Sequence, residues 1–426
     1  MRAIMFTTWA LFVGMFLLQV GNGIQATLLG LRGALEGFTA IQMSFVMSAY
    51  FLGFLGGSWL APALIRRVGH IRVFAALASF VSAIMILYPV LTDPIAWVLL
   101  RILIGFCFSG VYVTAESWLN NSATNETRGA TLGIYIVVQM AGITLAQYML
   151  NFGDAGGFVL FIIPSVLVSI SFAPILLSIS PTPPFQSAKP MTLRELYAAS
   201  PLGCVGMFFS GGISAAIFGM SAVYGTEAGF SVAQVTTFVS SFFIGGLLFQ
   251  FPIGWLSDRM DRRVLICAAA AIGALAGFCA VVLTGAFVPL VALGFVIGGM
   301  AQPLYALFIA YTNDFLALED MASASGGLVF VSGLGAILGP IIAGGLMQAT
   351  GPGGYFLFMG GLLAVTALYS LWRMRQRPST IDTDEQVSFA PIMPSSTAVT
   401  VEAVQEYYAE NVDDEEQSGS IKGDVA

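Results

Sequence analysis

Charges, prolines and glycine clusters break the chain into twelve apolar runs, over about 7–31, 42–65, 71–91, 95–120, 129–152, 156–179, 202–225, 232–256, 264–284, 287–313, 321–348 and 354–374. Each is continuously apolar for about twenty residues or more, the length a helix needs to cross a bilayer core. Strands of a membrane barrel would instead alternate polar and apolar positions over about ten residues. Lipid cannot hydrogen-bond an exposed backbone, so helices are expected throughout. The run from Phe6 to Leu31 is too long for the apolar region of a signal peptide and has no cleavage pattern, so it reads as the first span.

Composition agrees. Of the 426 residues 57% are apolar and 9% charged, with a mean hydropathy of +0.87; a soluble globular protein carries about a quarter charged residues. Ordinary soluble enzymes are thereby excluded, and the bilayer is the expected surrounding. The formal net charge of −7 argues against a nucleic-acid partner. Its distribution is more informative than its size. Residues 375–426 hold eleven acids and three bases, leaving twelve acids and thirteen bases for the rest. With the N-terminus inside, fourteen of the sixteen basic residues fall on the cytoplasmic side, Arg32 lies outside and Arg101 lies within a span. The positive-inside rule selects that topology. A multi-pass protein of a bacterial inner membrane, with both termini cytoplasmic, is expected.

Two composition breaks divide the chain. The first, rich in proline (Pro181, Pro183, Pro184, Pro190), separates six spans from six; the second begins the polar, acidic tail. The expected organisation is a six-helix half over 1–180, a cytoplasmic linker over 181–200, a second six-helix half over 201–374 and a disordered acidic tail over 375–426. A short helix around Val401–Asn411 fits the pattern within that tail.

The halves are related in sequence. A shift of 192 residues lays Gly37-Phe38-Thr39-Ala40-Ile41-Gln42 on Gly229-Phe230-Ser231-Val232-Ala233-Gln234, Ser48 on Ser240, Tyr50-Phe51 on Phe242-Phe243, Gly53 on Gly245 and Arg67 on Arg259. Parallel six-helix repeats are a transporter architecture, with the solute held near the midplane between halves that rock around it. The expected fold is all-α and membrane-integral: twelve transmembrane helices in two pseudo-symmetric six-helix halves.

Between spans 8 and 9 the chain reads Gly254-Trp255-Leu256-Ser257-Asp258-Arg259-Met260-Asp261-Arg262-Arg263. This resembles the G-x-x-x-D-R-x-G-R-R loop motif of the major facilitator superfamily, with Asp261 where the motif has glycine. The first-half counterpart, Pro62 to Arg72, keeps Arg67 and Gly69 but has Pro62 in place of the glycine and Arg66 in place of the acid. Within the superfamily the chain resembles the YcaD-like bacterial branch, through Ala115-Glu116-Ser117-Trp118-Leu119-Asn120 and Asn125-Glu126-Thr127-Arg128-Gly129. The Gly339-Pro340 run in span 11 points the same way. The resemblance implies a solute transporter, and it places spans 1, 4, 7 and 10 around the cavity.

Ionisable and amide side chains inside spans are costly and mark candidate sites. In span 4, Arg101, Gly105, Phe108, Tyr112 and Glu116 share one helical face. At 1.5 Å per residue, Arg101 and Glu116 are about 22 Å apart and cannot pair. Two readings of Arg101 stand: attraction of an anionic or carbonyl-bearing solute or a part in proton coupling, as the resemblance to antiporters implies, and hydrogen bonding to polar groups of span 1. Glu116 reads as a protonatable coupling site or as a latch to a basic loop such as Arg128. Asp258 and Arg259 read as gating residues, because an acid adds nothing to topology; Arg262 and Arg263 divide between gating and topogenic charge. Asp314 reads as a boundary charge.

Amides and hydroxyls complete the set. Span 1 carries Gln19, Asn22 and Gln25, span 5 Gln139 and Gln147, span 7 Ser210, Ser214, Ser221 and Tyr224, and span 10 Gln302, Tyr305 and Asn313. Of these, Asn22, Gln25, Gln139, Tyr224, Gln302 and Tyr305, with Arg101 and Tyr112, are expected to line the cavity. Interhelical hydrogen bonding is the other reading, and it is expected to account for Ser210 and Ser214. Amides and aromatics with few charges suit an uncharged or amphipathic, planar organic solute. The glycines around Pro340 read as close-approach and kink positions.

Competing classes fare less well. The sole histidine, His70, falls in a loop, and neither an HExxH nor a GxSG motif occurs. Cys107, Cys204, Cys267 and Cys279 sit in apolar runs without ligand-like spacing, so no metal or other cofactor is expected. The expectation is a monomeric secondary transporter, not an enzyme, working by alternating access on a small organic solute, with protons as a second candidate partner. Proton-coupled export of drug-like compounds and uptake of a vitamin-like compound such as a flavin both remain open, and a non-transporting membrane sensor is the alternative outside the class.

Overall fold

The structure is a computed structural model that describes residues 2–122, 125–174, 191–376 and 389–401; at 2–8, 121, 122, 125–130, 132, 318, 319 and 322 only the backbone is described. The described residues form helices joined by short turns. In chain order they are α1 (Arg2–Leu35), α2 (Ala40–Val68), α3 (His70–Leu87), α4 (Pro94–Ser122), α5 (Asn125–Met149), α6 (Val159–Ser171), α7 (Pro201–Glu227), α8 (Val232–Ser257), α9 (Arg262–Val282), α10 (Phe287–Asn313), α11 (Leu318–Thr350) and α12 (Gly354–Gln376). Eleven are long and apolar enough to cross a membrane. The twelfth, α6, is a shorter apolar helix, and the far end of its expected span lies outside the described residues, as does 181–190 of the linker. A short helix, Leu193–Ala199, fills the described part of the linker, closed by a capping box of Thr192 and Glu195.

The 192-residue repeat is visible in local structure. Gly37 (φ 76°) and Gly229 (φ 77°) both take the left-handed conformation that glycine adopts without steric cost. Two residues on, Thr39 and Ser231 cap α2 and α8 through reciprocal bonds with Gln42 and Gln234. Each such cap stabilises its helix by about 1 kcal/mol.

Equivalent glycines then set equivalent crossings. Where α2 crosses α4, a Cβ on Gly53 would run into the Ile102 carbonyl, and one on Gly105 into that of Tyr50. Where α8 crosses α10, Gly245 meets the Phe295 carbonyl and Gly298 that of Phe242 in the same way. Helices without side chains at the contact approach until their backbones touch, which is how membrane helices associate without a hydrophobic driving force.

Between the halves, α1 meets α7 at Gly30 and Ala222, and α2 meets α11 at Ser44 and Gly344. Both contacts lie toward the end of the bundle that carries Arg32. Ser48 also donates to the Ile337 carbonyl across this seam. At the opposite, basic end, where Arg66, Arg67, Arg259 and Arg373 cluster at helix termini, residues 389–401 occupy the space between the halves. Within this stretch of the expected tail, Phe389, Ile392, Met393 and Val401 are buried, and 398–401 form a helical turn.

Candidate functional site

One cavity of about 100 Å³ lies where the two halves face each other. The first half supplies Gln19, Asn22, Tyr50, Phe54 and Tyr112 to its wall, and the second half Ser214, Phe218, Phe243, Gln302 and Tyr305. Phe51 and Phe243, also in the wall, occupy repeat-related positions. Met393, Pro394, Ser395 and Ser396 close it on the basic side.

The first-half wall is internally bonded. Asn22 Nδ2 donates to the Tyr112 hydroxyl (3.0 Å), Tyr112 donates to Gln19 Oε1 (2.5 Å), and Gln19 Nε2 donates to Gln139 Oε1 (2.7 Å). This chain ties α1 to α4 and α5. It leaves Asn22 Oδ1 buried without a protein partner. From the second half, Gln302 Oε1 and Ser214 Oγ are likewise buried and unpartnered. A buried polar atom left unmatched costs about 1–3 kcal/mol, so acceptors facing one cavity from opposite halves form a ready place for a donor-bearing solute.

Of the eight residues expected around a cavity, the structure brings Asn22, Tyr112, Gln302 and Tyr305 together and places the other four elsewhere. Gln139 stands behind Gln19. Arg101 is fully buried, donating to Gln25 Oε1 of span 1 (2.8 Å) with its guanidinium 4.9 Å from the Tyr50 ring centre. Tyr224 stacks on Tyr355 (5.4 Å) and packs edge-on to Phe356 (4.8 Å) in an aromatic cluster near the Arg32 end. Ser210 and Ser214, expected to hydrogen-bond between helices, have hydroxyls without partners. Tyr50 was not singled out from the sequence, although its repeat partner Phe242 flags the position.

The basic-end loop is built around Arg262. Its guanidinium pairs with Asp314, donates to the Ala310 carbonyl (3.2 Å) and to Ser257 Oγ (2.9 Å), and reaches Asp258 at 3.5 Å. Asp314 is 3% exposed, so it is a buried partner and not the boundary charge its position suggests. Asp258 faces two ways, accepting also from the Phe389 backbone N–H (2.7 Å). Arg259 lies outward on the Trp255 ring, 4.4 Å from its centre. Asp261 caps α9 and accepts from the Arg263 backbone and guanidinium; burial pushes its carboxyl up, and those bonds more than offset this, holding it below its usual range.

Glu116 is bonded to the tail and to α5. Its carboxylate accepts from the Thr397 backbone N–H (3.1 Å), the Thr397 hydroxyl and the Tyr135 hydroxyl (3.1 Å). The side chain of Arg128, its expected partner, lies outside the described residues.

Among the described residues, long helices in repeat-related halves around a central cavity restrict the fold, and the comparisons point to the family. A model of the Major Facilitator Superfamily matches residues 202–405, and one of the sugar (and other) transporter family matches residues 5–189. The resemblance to the major facilitator superfamily read from the loop motif is borne out by these matches. Superfamily relatives include the uncharacterized MFS-type transporter YcaD of Salmonella typhi and that of Salmonella typhimurium, each 24% identical over 376 residues, covering 87% of this chain and 97% of the relative. Among solved structures, the nucleoside transporter NupG superposes with a TM-score of 0.72 at 17% identity, over 87% of this chain and 100% of the other. A bacterial homologue of the lysosomal transporter Spinster, inward-facing and occupied, superposes with a TM-score of 0.68 at 14% identity, over 91% of this chain and 98% of that one. At such identities the likeness concerns the superfamily fold alone.

Proposed function

We propose that the protein is a secondary transporter that carries a small, uncharged, planar organic solute bearing N–H or O–H donors, by alternating access, across a bacterial inner membrane with both termini in the cytoplasm. One observation carries the reading: Asn22 Oδ1 and Gln302 Oε1, from opposite halves, are buried and unpartnered on one cavity that Tyr50, Phe54, Phe218 and Phe243 also line. Aromatic faces favour stacking on a planar ring, and unpaired acceptors reward donors on its edge. A solute bonded to both halves couples its own binding to their relative position, which is what alternating access requires. Each chain contributes both walls, so a monomer suffices. Nucleosides, for which NupG is named a transporter, and flavin-like compounds both have this chemistry.

The test begins with ligand stabilisation of the purified protein by nucleosides, nucleobases and flavins, followed by uptake of each hit into proteoliposomes with and without a pH gradient. Asn22→Ala and Gln302→Ala are each expected to weaken binding by up to about tenfold, in line with about 0.5–1.5 kcal/mol net per hydrogen bond. Wild-type affinity and flux in both variants would overturn the reading. Dependence of uptake on the gradient separates proton-coupled from facilitative transport.

A further inference from the structure

We propose that residues 389–401 are a detachable internal plug: the chain's own C-terminal segment closes the cytoplasmic mouth of the cavity and must leave before a solute passes on that side. The inference rests on reading the cavity as a transport path, and its central observations are contacts.

The segment ties down both halves at once. Its first described residue donates through the Phe389 N–H to Asp258, at the end of α8. Eight residues later, Thr397 donates through its N–H and its hydroxyl to Glu116 on α4. Halves that rock against each other change the separation of Asp258 and Glu116, so a strap bonded to both resists that motion. The Phe389 ring lies so close to Gly254 that a Cβ there would collide with it, which makes this docking position specific.

Between the two anchors, Met393, Pro394, Ser395 and Ser396 form part of the cavity wall. The room left is about 100 Å³, whereas sites for organic ligands run to roughly 300–1,000 Å³. While the segment is seated, these four residues take up part of the space that a solute would occupy. Displacing these four residues is the most direct way to make the space.

Release is built in. The twelve residues between Gln376 and Phe389 can span roughly 40 Å when extended, so the segment can undock and stay tethered, returning at high effective concentration. Its fit is incomplete: the Ser395 hydroxyl is buried without a partner. Thr397 is held to Glu116 by hydrogen bonds that water can replace once the mouth opens.

The experiment measures access to the cavity from the cytoplasmic face. In the full chain with its four cysteines replaced, a single cysteine is placed at Ser332→Cys in the cavity wall, and its rate of modification by a bulky, membrane-impermeant maleimide is followed in inside-out vesicles. The native tail is compared with Phe389→Asp/Met393→Asp and with a tail of unchanged length in which 389–401 are glycine and serine. Labelling at least tenfold faster in both altered tails is expected, and about threefold faster in Glu116→Ala. A control cysteine at the exposed Arg66→Cys should label alike in every background, which shows that the bundle is intact. Equal rates at position 332 with native and altered tails would overturn the plug. Faster labelling without uptake of any solute would instead count against the transport reading and leave the plug standing.

Discussion

The two basic-end loops occupy the same place in the repeat and are held by different chemistry. His70 and Arg262 are 192 residues apart, and each starts the third helix of its half. In the second half Arg262 forms a buried ion pair with Asp314 and bonds the Ala310 carbonyl. In the first half His70 Nε2 meets Ser117 Oγ at 3.1 Å, and Arg66, which stands where the second half has Asp258, is exposed. One loop contains a pair of opposite charges withdrawn from water, the other a contact between an imidazole and a hydroxyl. The acid next to that weaker contact, Glu116, is the one that the tail segment engages. A repeat thus preserves backbone geometry while each copy is free to change the charges that sit on it.

The largest expected effect breaks the stronger loop. Asp314→Ala removes the buried carboxylate that pairs with Arg262, leaving the more exposed Asp258 at 3.5 Å, and should cost up to about 3–5 kcal/mol of stability, read as a lowered unfolding midpoint in detergent. Loss of the same amount in His70→Ala would erase the distinction between the loops; about 1 kcal/mol is expected there, the net worth of one hydrogen bond.

A second contrast concerns the two buried guanidiniums. Arg101 has neutral neighbours, Gln25, Met47 and Tyr50, whereas Arg262 has an acid. Replacing a buried charge by an apolar side chain of similar volume avoids its desolvation cost, and whole buried charge clusters so replaced can gain about 1–4 kcal/mol. Arg101→Met should therefore raise the midpoint and Arg262→Met lower it, because the latter removes a guanidinium that pairs with Asp314. A fall in both would mean that Arg101 is held as firmly as Arg262.

The smallest effect is a pH dependence. Asp261 has a folded-state pKa below its ordinary 3.8, so its contribution is complete above that value and disappears as the pH falls through the lowered one. The stability difference between the wild type and Asp261→Asn should be constant from neutral pH down to about pH 5 and shrink below about pH 4. A difference that grows on acidification would show that Arg263 is not the group holding Asp261.

Much of the scaffold was legible because it is periodic. Twelve apolar runs, the glycine-and-cap pairs at 37–42 and 229–234 and the crossing glycines Gly53 and Gly245 all follow from helical spacing or from the single repeat offset. The site was legible in part. Polar stripes located Asn22, Tyr112, Gln302 and Tyr305, but a stripe has no way to show whether an amide faces the cavity or a neighbouring helix, and so Gln25, Gln139 and Arg101 fell together with them. Asp314 and Arg262 are 52 residues apart and meet only through the packing of α9 on α10. The tail was the least legible. Prolines, serines and threonines at 391–397 look like an unfolded segment because their partners, Glu116 and Asp258, belong to other helices and leave no periodic trace.

Chain order gives the Glu116–Thr397 contact one more consequence. Its partners are separated by 281 residues, and Asp258 and Phe389 by 131. The ribosome finishes every membrane helix before it makes the segment that docks between them. During synthesis the bundle must therefore insert and pair its halves with this mouth unoccupied, and seating of the last-made segment becomes an assembly step that only a finished chain can take.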